Sequence, residues 1–221
     1  MKHSRSAASA ATGLRERNKL DKLRRIKAAA RSLFTERGFD RATTRAIARR
    51  AGVGLGTLFN YAGDKRDLVF LIFIEELDRI ADRAFAATDS RARLLDQLTT
   101  AFAHYYREFG SNTRLARILL QELTFYSSGK LAADFQRSRK RTIGFIERLI
   151  ARAQRDGRIR NDVDTTTAAL SIFFIYAGAV RWWIALDRSR PAHGIAELRK
   201  LLELHIGGLA PRVANRGRRS P

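Results

Sequence analysis

Apolar side chains recur along this chain with a helical period. Leu20, Leu23, Ile26, Ala30, Leu33 and Phe34 follow one another at intervals of three and four, so they share one face of a helix, and Gly38 closes that run. Thr43-Thr44 supply the cap of a short helix that reaches Ala51, and a second short helix covers Leu55 to Tyr61. Asp64 caps a longer one running to Ala87. Further helices are predicted at 90–109 with Ser90 as cap, 113–126, 130–156, 164–186 with Asp164 as cap, and 195–207. No segment alternates with period two, so no sheet is expected. The pattern predicts an all-α protein of about nine helices.

The pattern fades at both ends. Residues 1–14 are small and polar and read as a disordered basic arm, and "PRVANRGRRSP" reads as a disordered basic tail from 210 onward. Between them the expected organisation is two parts, a three-helix unit at 15–67 and a larger helical unit at 68–209.

Charge sharpens this picture. The net charge is +21, and residues 1–67 hold 17 lysines and arginines against 6 acids, so the basic excess concentrates at the N-terminal end and points to a polyanionic partner. There is no cysteine, which removes disulfide scaffolds, thiolate zinc sites and Cys nucleophiles, and fits a reducing cytoplasm. "MKHSRSAASAATG" lacks the continuous apolar stretch of an export signal. The longest apolar run, Ala168 to Val180, is 13 residues, short of the roughly 18–20 that cross a bilayer, so no membrane partner is expected.

The stretch "ATTRAIARRAGVGLGTLFNYAGDKRDL" carries the chemistry. Ile47, Ala48 and Leu58 fall on inner faces, Val53 anchors a turn, and Gly52 lets the chain leave the first short helix, which together make a helix-turn-helix. Gly56 leaves the second helix without a side chain where its backbone would approach the floor of a DNA groove. Thr44 at a helix start and Lys65 in the first turn of the next long helix suit phosphates, while Arg45 carries a guanidinium suited to guanine O6 and N7.

This segment resembles the DNA-binding segment of TetR-family (tetracycline-repressor-like) transcriptional regulators. The family pattern I-A-x-x-A-G-V-S-x-G-T-L-Y-x-Y-F-x-x-K-x-x-L is matched at Ile47, Ala48, Ala51, Gly52, Val53, Gly56, Thr57, Leu58, Tyr61, Lys65 and Leu68, with Thr44 before it; "AARSLFTERGFDRATT" resembles the preceding family helix. The resemblance implies that Arg45, Leu55, Gly56, Thr57 and Phe59 face base edges, that Thr44, Tyr61 and Lys65 grip phosphates, and that Gly54 and Asn60 belong to the same surface. Three positions depart from the pattern. Gly54 replaces a serine that caps the recognition helix, Phe59 replaces a tyrosine, and Ala62 replaces a phenylalanine whose volume must be filled otherwise.

The resemblance also gives the C-terminal part a role. Tyr105, Phe109, Phe125, Tyr126, Phe173 and Tyr176 are candidates for an effector pocket, Tyr105 and Tyr126 foremost because a buried phenol needs a hydrogen-bond partner. Helix 164–186 is apolar nearly all round, so it must be covered on several sides. With the last helix it would form half of a subunit interface through Phe174, Trp182, Trp183, Leu198, Leu201, Leu202 and His205. The expected function is a ligand-responsive regulator, a repressor, that binds a palindromic operator as a homodimer and is released by a small-molecule effector, with no cofactor. The competing readings are a non-specific architectural DNA binder and a metal-free helical enzyme. The four histidines are scattered, and neither H-E-x-x-H nor G-x-x-x-x-G-K occurs, which disfavours the enzyme.

Overall fold

The structure, a computed structural model, describes residues 3–186 and 190–211, with side chains from residue 13 onward except that of Phe125. Among the described residues there are nine α-helices and no strand: α1 (His3–Arg41), α2 (Thr44–Arg50), α3 (Leu55–Tyr61), α4 (Lys65–Ala86), α5 (Leu94–Ser111), α6 (Thr113–Glu122), α7 (Ala132–Arg155), α8 (Thr165–Ala185) and α9 (Pro191–Leu209). A 3-10 turn, Leu123–Phe125, follows α6.

Four details differ from the pattern-based expectation. The first helix starts at His3, inside the stretch expected to be an irregular arm; its run of alanines, the strongest helix formers, extends the amphipathic segment behind it. Ser90 is not a cap, because Asp89 and Arg91 form a turn and α5 begins only at Leu94. Gly110 lies within α5. The last helix begins at Pro191, an N1 proline whose missing N–H costs a helix nothing, so Gly194 falls inside α9 rather than before it. The basic tail expected from 210 lies outside the described residues beyond Pro211.

Packing divides the chain differently from the boundary expected at 67/68. One compact unit contains the chain up to Asp78 together with Asn112–Arg137; the other contains Arg79–Ser111 and the chain from Ser138. In the first unit α1 packs on α2 and α6, and α2 on α3, around Ile26, Leu33, Phe34, Ile47, Leu58, Leu68 and Leu115, all essentially inaccessible to solvent. In the second, α5, α8 and α9 pack on one another. Phe102 stacks on Tyr176 with ring centroids 4.2 Å apart, and Tyr106 meets Trp183 at 4.8 Å. Each such fully buried side chain contributes roughly 1.5–3 kcal/mol through removal from water.

The 21-residue α8 matches the helix expected at 164–186, and by length and composition alone it is long and apolar enough to cross a bilayer, although its continuous apolar run is not. Its inner face is buried through Ala169, Ile172, Tyr176, Val180 and Trp183, while Phe174 and Trp182 on the opposite face stay exposed. The helix is therefore apolar for two different reasons, one on each side.

Candidate nucleic-acid interface

The turn between α2 and α3 is held from below. Gly52 has φ +63, a conformation that side chains rarely adopt, and the Arg25 Nη1 on α1 donates to the carbonyls of Ala51 at 3.0 Å and Gly52 at 3.3 Å. Arg50, the last residue of α2, donates to Glu36 and Ser32 of α1, which ties the same end of α2 to α1. Thr43, rather than Thr44, caps α2: its hydroxyl accepts the Ala46 N–H at 3.1 Å, leaving Thr44 as the first helical residue. Gly54 stands at the N-cap of α3 and supplies no side-chain cap, so the substitution of glycine for serine has the consequence expected of it. Ala62 is fully buried.

The helix α3 turns Leu58 fully into the core and presents Gly56, Phe59 and Asn60 to solvent, with Leu55 and Thr57 half-buried beside them. Arg45 is exposed on α2. A methyl group placed on Gly56 would meet nothing within 4 Å, so nothing inside the chain demands glycine there. Lys65 donates to the Asp40 carbonyl at 3.3 Å and sits 4.2 Å from the centroid of the Phe39 ring; its ammonium has two further donors. Tyr61 departs from the phosphate-gripping role. Its hydroxyl donates to the Lys19 carbonyl at 3.0 Å, and a phosphate, which only accepts, would need that same proton.

Two residues of this unit gave no signal in the pattern. Asp67, in the first turn of α4, is buried and accepts from the Tyr126 hydroxyl and from the Gly63 N–H at 2.7 Å. Lys130, from the loop before α7, donates from Nζ to the Phe59 carbonyl at the end of α3. The only available hint was the D-x-x-D spacing of Asp64 and Asp67; Asp64 caps α4 by accepting the Asp67 N–H at 2.8 Å.

Of the candidate pocket residues, Tyr105, Phe109, Phe173 and Tyr176 come together in the second unit, with Tyr105 5.6 Å and Phe173 6.2 Å from Tyr176 by ring centroid. The Tyr105 hydroxyl meets the Thr142 hydroxyl at 3.3 Å. Tyr126 belongs to the first unit, where its ring stacks on Phe70. The side chain of Phe125 lies outside the described residues. On the neighbouring turns Arg181 and Arg139 are half-buried, and burial pushes both guanidinium groups below their ordinary range.

The candidate interface residues split by helical face. Trp183, Leu198 and Leu202 are core: Trp183 packs on Tyr106 and donates its indole N–H to the Arg190 carbonyl at 3.0 Å, and Leu198 and Leu202 point inward at i, i+4. Phe174, Trp182 and Leu201, joined by Leu204, form the outer face, 64%, 75%, 47% and 79% exposed. They line two shallow adjoining grooves of about 690 and 620 Å³ floored by Gly178 and Ala179. His205 borders the second groove and lies 2.8 Å from the Ser171 hydroxyl.

Burial holds His205 below its ordinary pKa, and burial together with Arg107 and Arg83 does the same for His104. Both therefore bind protons more readily in the unfolded chain than in the folded one, so stability is retained above about pH 6.5 and declines as pH falls below it. The melting temperature measured by calorimetry is expected to drop between pH 7 and 5.5, and the double variant His104→Gln, His205→Gln to flatten that drop. An unchanged slope in the double variant would remove the histidines as its cause.

Residues 26–72 match the sequence profile described as bacterial regulatory proteins of the tetR family. Over 193 residues, 87% of this chain and 98% of the relative, the chain is 22% identical to the fatty acid metabolism regulator protein of Bacillus subtilis. Among solved structures it resembles Thermus thermophilus FadR, a TetR-family transcriptional repressor in complex with lauroyl-CoA, with a TM-score of 0.68 and 21% identity over 88% of this chain and 98% of that one. It also resembles FadR from Bacillus subtilis in complex with stearoyl-CoA, with a TM-score of 0.67 and 22% identity over 83% and 97% of the two chains. At these identities the structural likeness speaks for the fold.

Proposed function

Because the chain belongs to the tetR family of bacterial regulatory proteins, we propose that it is a cytoplasmic, dimeric transcriptional repressor that grips a palindromic operator with paired α3 helices and releases it on binding a small-molecule effector. Gly56 carries the DNA reading. Glycine is a poorer helix former than alanine, and here, in the first turn of α3, no neighbour within the chain requires it. Close approach of another molecule's backbone or bases does. Around it, Gly54, Leu55, Thr57, Phe59 and Asn60 form the surface that enters the major groove, Arg45 reads a base edge, and Thr44 and Lys65 hold phosphates.

A dimer supplies two such helices about 34–36 Å apart, matching successive major grooves. The outer face of α8 and α9, with Phe174, Trp182, Leu201 and Leu204, is the surface that pairs. The effector acts by binding the released state better than the DNA-bound one, since equal affinity would shift nothing. The helix α4 contributes residues to both compact units and is the lever. Acyl-CoA thioesters, bound by two relatives of the same fold, are the first ligands to test. The aromatic cluster around Tyr176 suits an acyl chain.

Gly56→Ala separates this reading from a purely structural one. The variant is expected to melt at or slightly above the wild-type temperature, because alanine favours the helix and has open space. Its affinity for the promoter segment that the wild type protects in footprinting is expected to fall by about tenfold or more, a loss of roughly 1.4 kcal/mol. Undiminished binding in a fluorescence anisotropy titration would sink the assignment of α3 to the groove.

A further inference from the structure

Lys130 and Asp67 lie outside the residues that read DNA in the proposed function, yet both are tied to them. The segment Tyr126–Leu131 follows α6 and precedes α7, far in sequence from the helix-turn-helix. It is seated on Asp67, whose side chain is 1% exposed. That carboxylate accepts from the Tyr126 hydroxyl, from the Gly63 N–H at 2.7 Å and from the Lys130 N–H at 3.3 Å. The Tyr126 hydroxyl in turn accepts the Leu131 N–H at 3.2 Å. Burial first, and then the carboxylate beside it, push the Tyr126 phenol well above its ordinary pKa, so it keeps the proton that it donates.

Steric exclusion closes the loop. Gly129 has φ +138, and a Cβ there would stand 2.6 Å from an Asp67 carboxylate oxygen and 2.8 Å from the Tyr126 hydroxyl. With the loop so placed, the Lys130 ammonium donates to the Phe59 carbonyl in the last turn of α3. A helix C-terminus presents unsatisfied carbonyls and the negative end of the helix dipole, so a cation is favourable there. Arg66 adds a second tie, donating to the Glu122 carbonyl at 3.1 Å and pairing with the Glu122 carboxylate at 2.8 Å. The stretch Asn112–Arg137 belongs to the same compact unit as the head.

We propose that Tyr126–Leu131 is a third component of the DNA-binding head: locked onto Asp67, it sets Lys130 as a C-terminal clamp that holds the recognition helix α3 in its reading orientation. Asp67, Tyr126 and Lys130 are positioning residues in this scheme, which rests on the assignment of α3 to the operator. They act through α3 and not by touching bases.

The test uses the full-length protein with Tyr126→Phe, which keeps the ring stack and removes the hydroxyl, Lys130→Met, which keeps the stem and removes the charge, and the double variant. Hydrogen exchange of the α3 amides is read on the free protein, and affinity for the footprinted promoter segment and for random duplex is measured across a salt series. The expected result is faster α3 exchange in both single variants and a loss of about tenfold on the bounded segment in each. The double variant should lose little more than either single one, and the salt dependence should keep its slope. Unchanged α3 exchange, or losses that simply add, would overturn the clamp. So would a Lys130→Met variant that loses equally on both DNAs with a slope reduced by about 0.9, the signature of one direct phosphate contact. If the wild type showed no bounded segment at all, the operator assignment would fail, while the exchange data would still decide whether the loop holds α3.

Discussion

Leu204→Glu is expected to leave each chain folded, to convert the protein from dimer to monomer, and to weaken operator binding by about a hundredfold or more. Leu204 is 79% exposed on α9 in the isolated chain, so the substitution removes little buried area and creates no cavity. In a dimer formed through the outer face of α8 and α9, the same position meets apolar surface from the partner. A carboxylate there would be desolvated without a counter-charge, and the two-fold relation would bring in its copy as well. Losing the dimer turns a two-site grip into two separate encounters, which removes the effective-concentration gain of linked binding. Sedimentation velocity and anisotropy on the same preparation check both halves. A persisting dimer would show that the pairing surface lies elsewhere, and a monomer that binds the operator as tightly as the wild type would show that pairing is not what secures the DNA.

Gly194→Val is expected to lower the melting temperature by about 5–10 °C, the shift that overpacking by roughly 2–3 kcal/mol produces in a chain of this size. A Cβ at this position would lie 2.5 Å from Tyr106 Cε1 and 2.6 Å from Trp183 Cδ1 and Cγ. Neither ring has room to yield. Tyr106 is completely buried, and Trp183 is anchored by its indole hydrogen bond to Arg190. Valine must therefore displace α9 from α5 and α8. Scanning calorimetry decides it, and a wild-type melting temperature would mean that α9 does not rest on these two rings. The contrast with Gly56→Ala is instructive, because one glycine is required by the chain itself and the other by nothing within it.

The helix-turn-helix was readable because its determinants are local. Thr43, Ile47, Gly52, Val53 and Leu58 lie within 16 positions, and the helical period places them without knowledge of the rest of the chain. The inward aim of Leu58 was legible for the same reason, while the missing cap at Gly54 was legible from its departure from the family pattern. So was the all-helical class, since no stretch carried the alternation that a half-buried strand needs.

Tryptophans 182 and 183 show where that reasoning stops. Periodicity sets them about 100° apart on a helix but not which one faces inward. When a helix is apolar on every side, as α8 is, no polar face sets the direction. Only the packing of α5 and α9 sent Trp183 into the core and left Trp182 outside, and the same choice divided Leu198 and Leu202 from Leu201 and Leu204. The Asp67–Tyr126 bond and the Lys130–Phe59 bond join residues 59 and 71 positions apart, with no local pattern that could announce them. What the sequence determined by itself is whatever a single helix and its turn encode: the period, the caps at Thr43 and Asp164, and the bare glycine. Which faces meet, and which residues from distant segments complete the head, was decided by tertiary structure, because burial is a property of neighbours and not of the segment that carries the side chain.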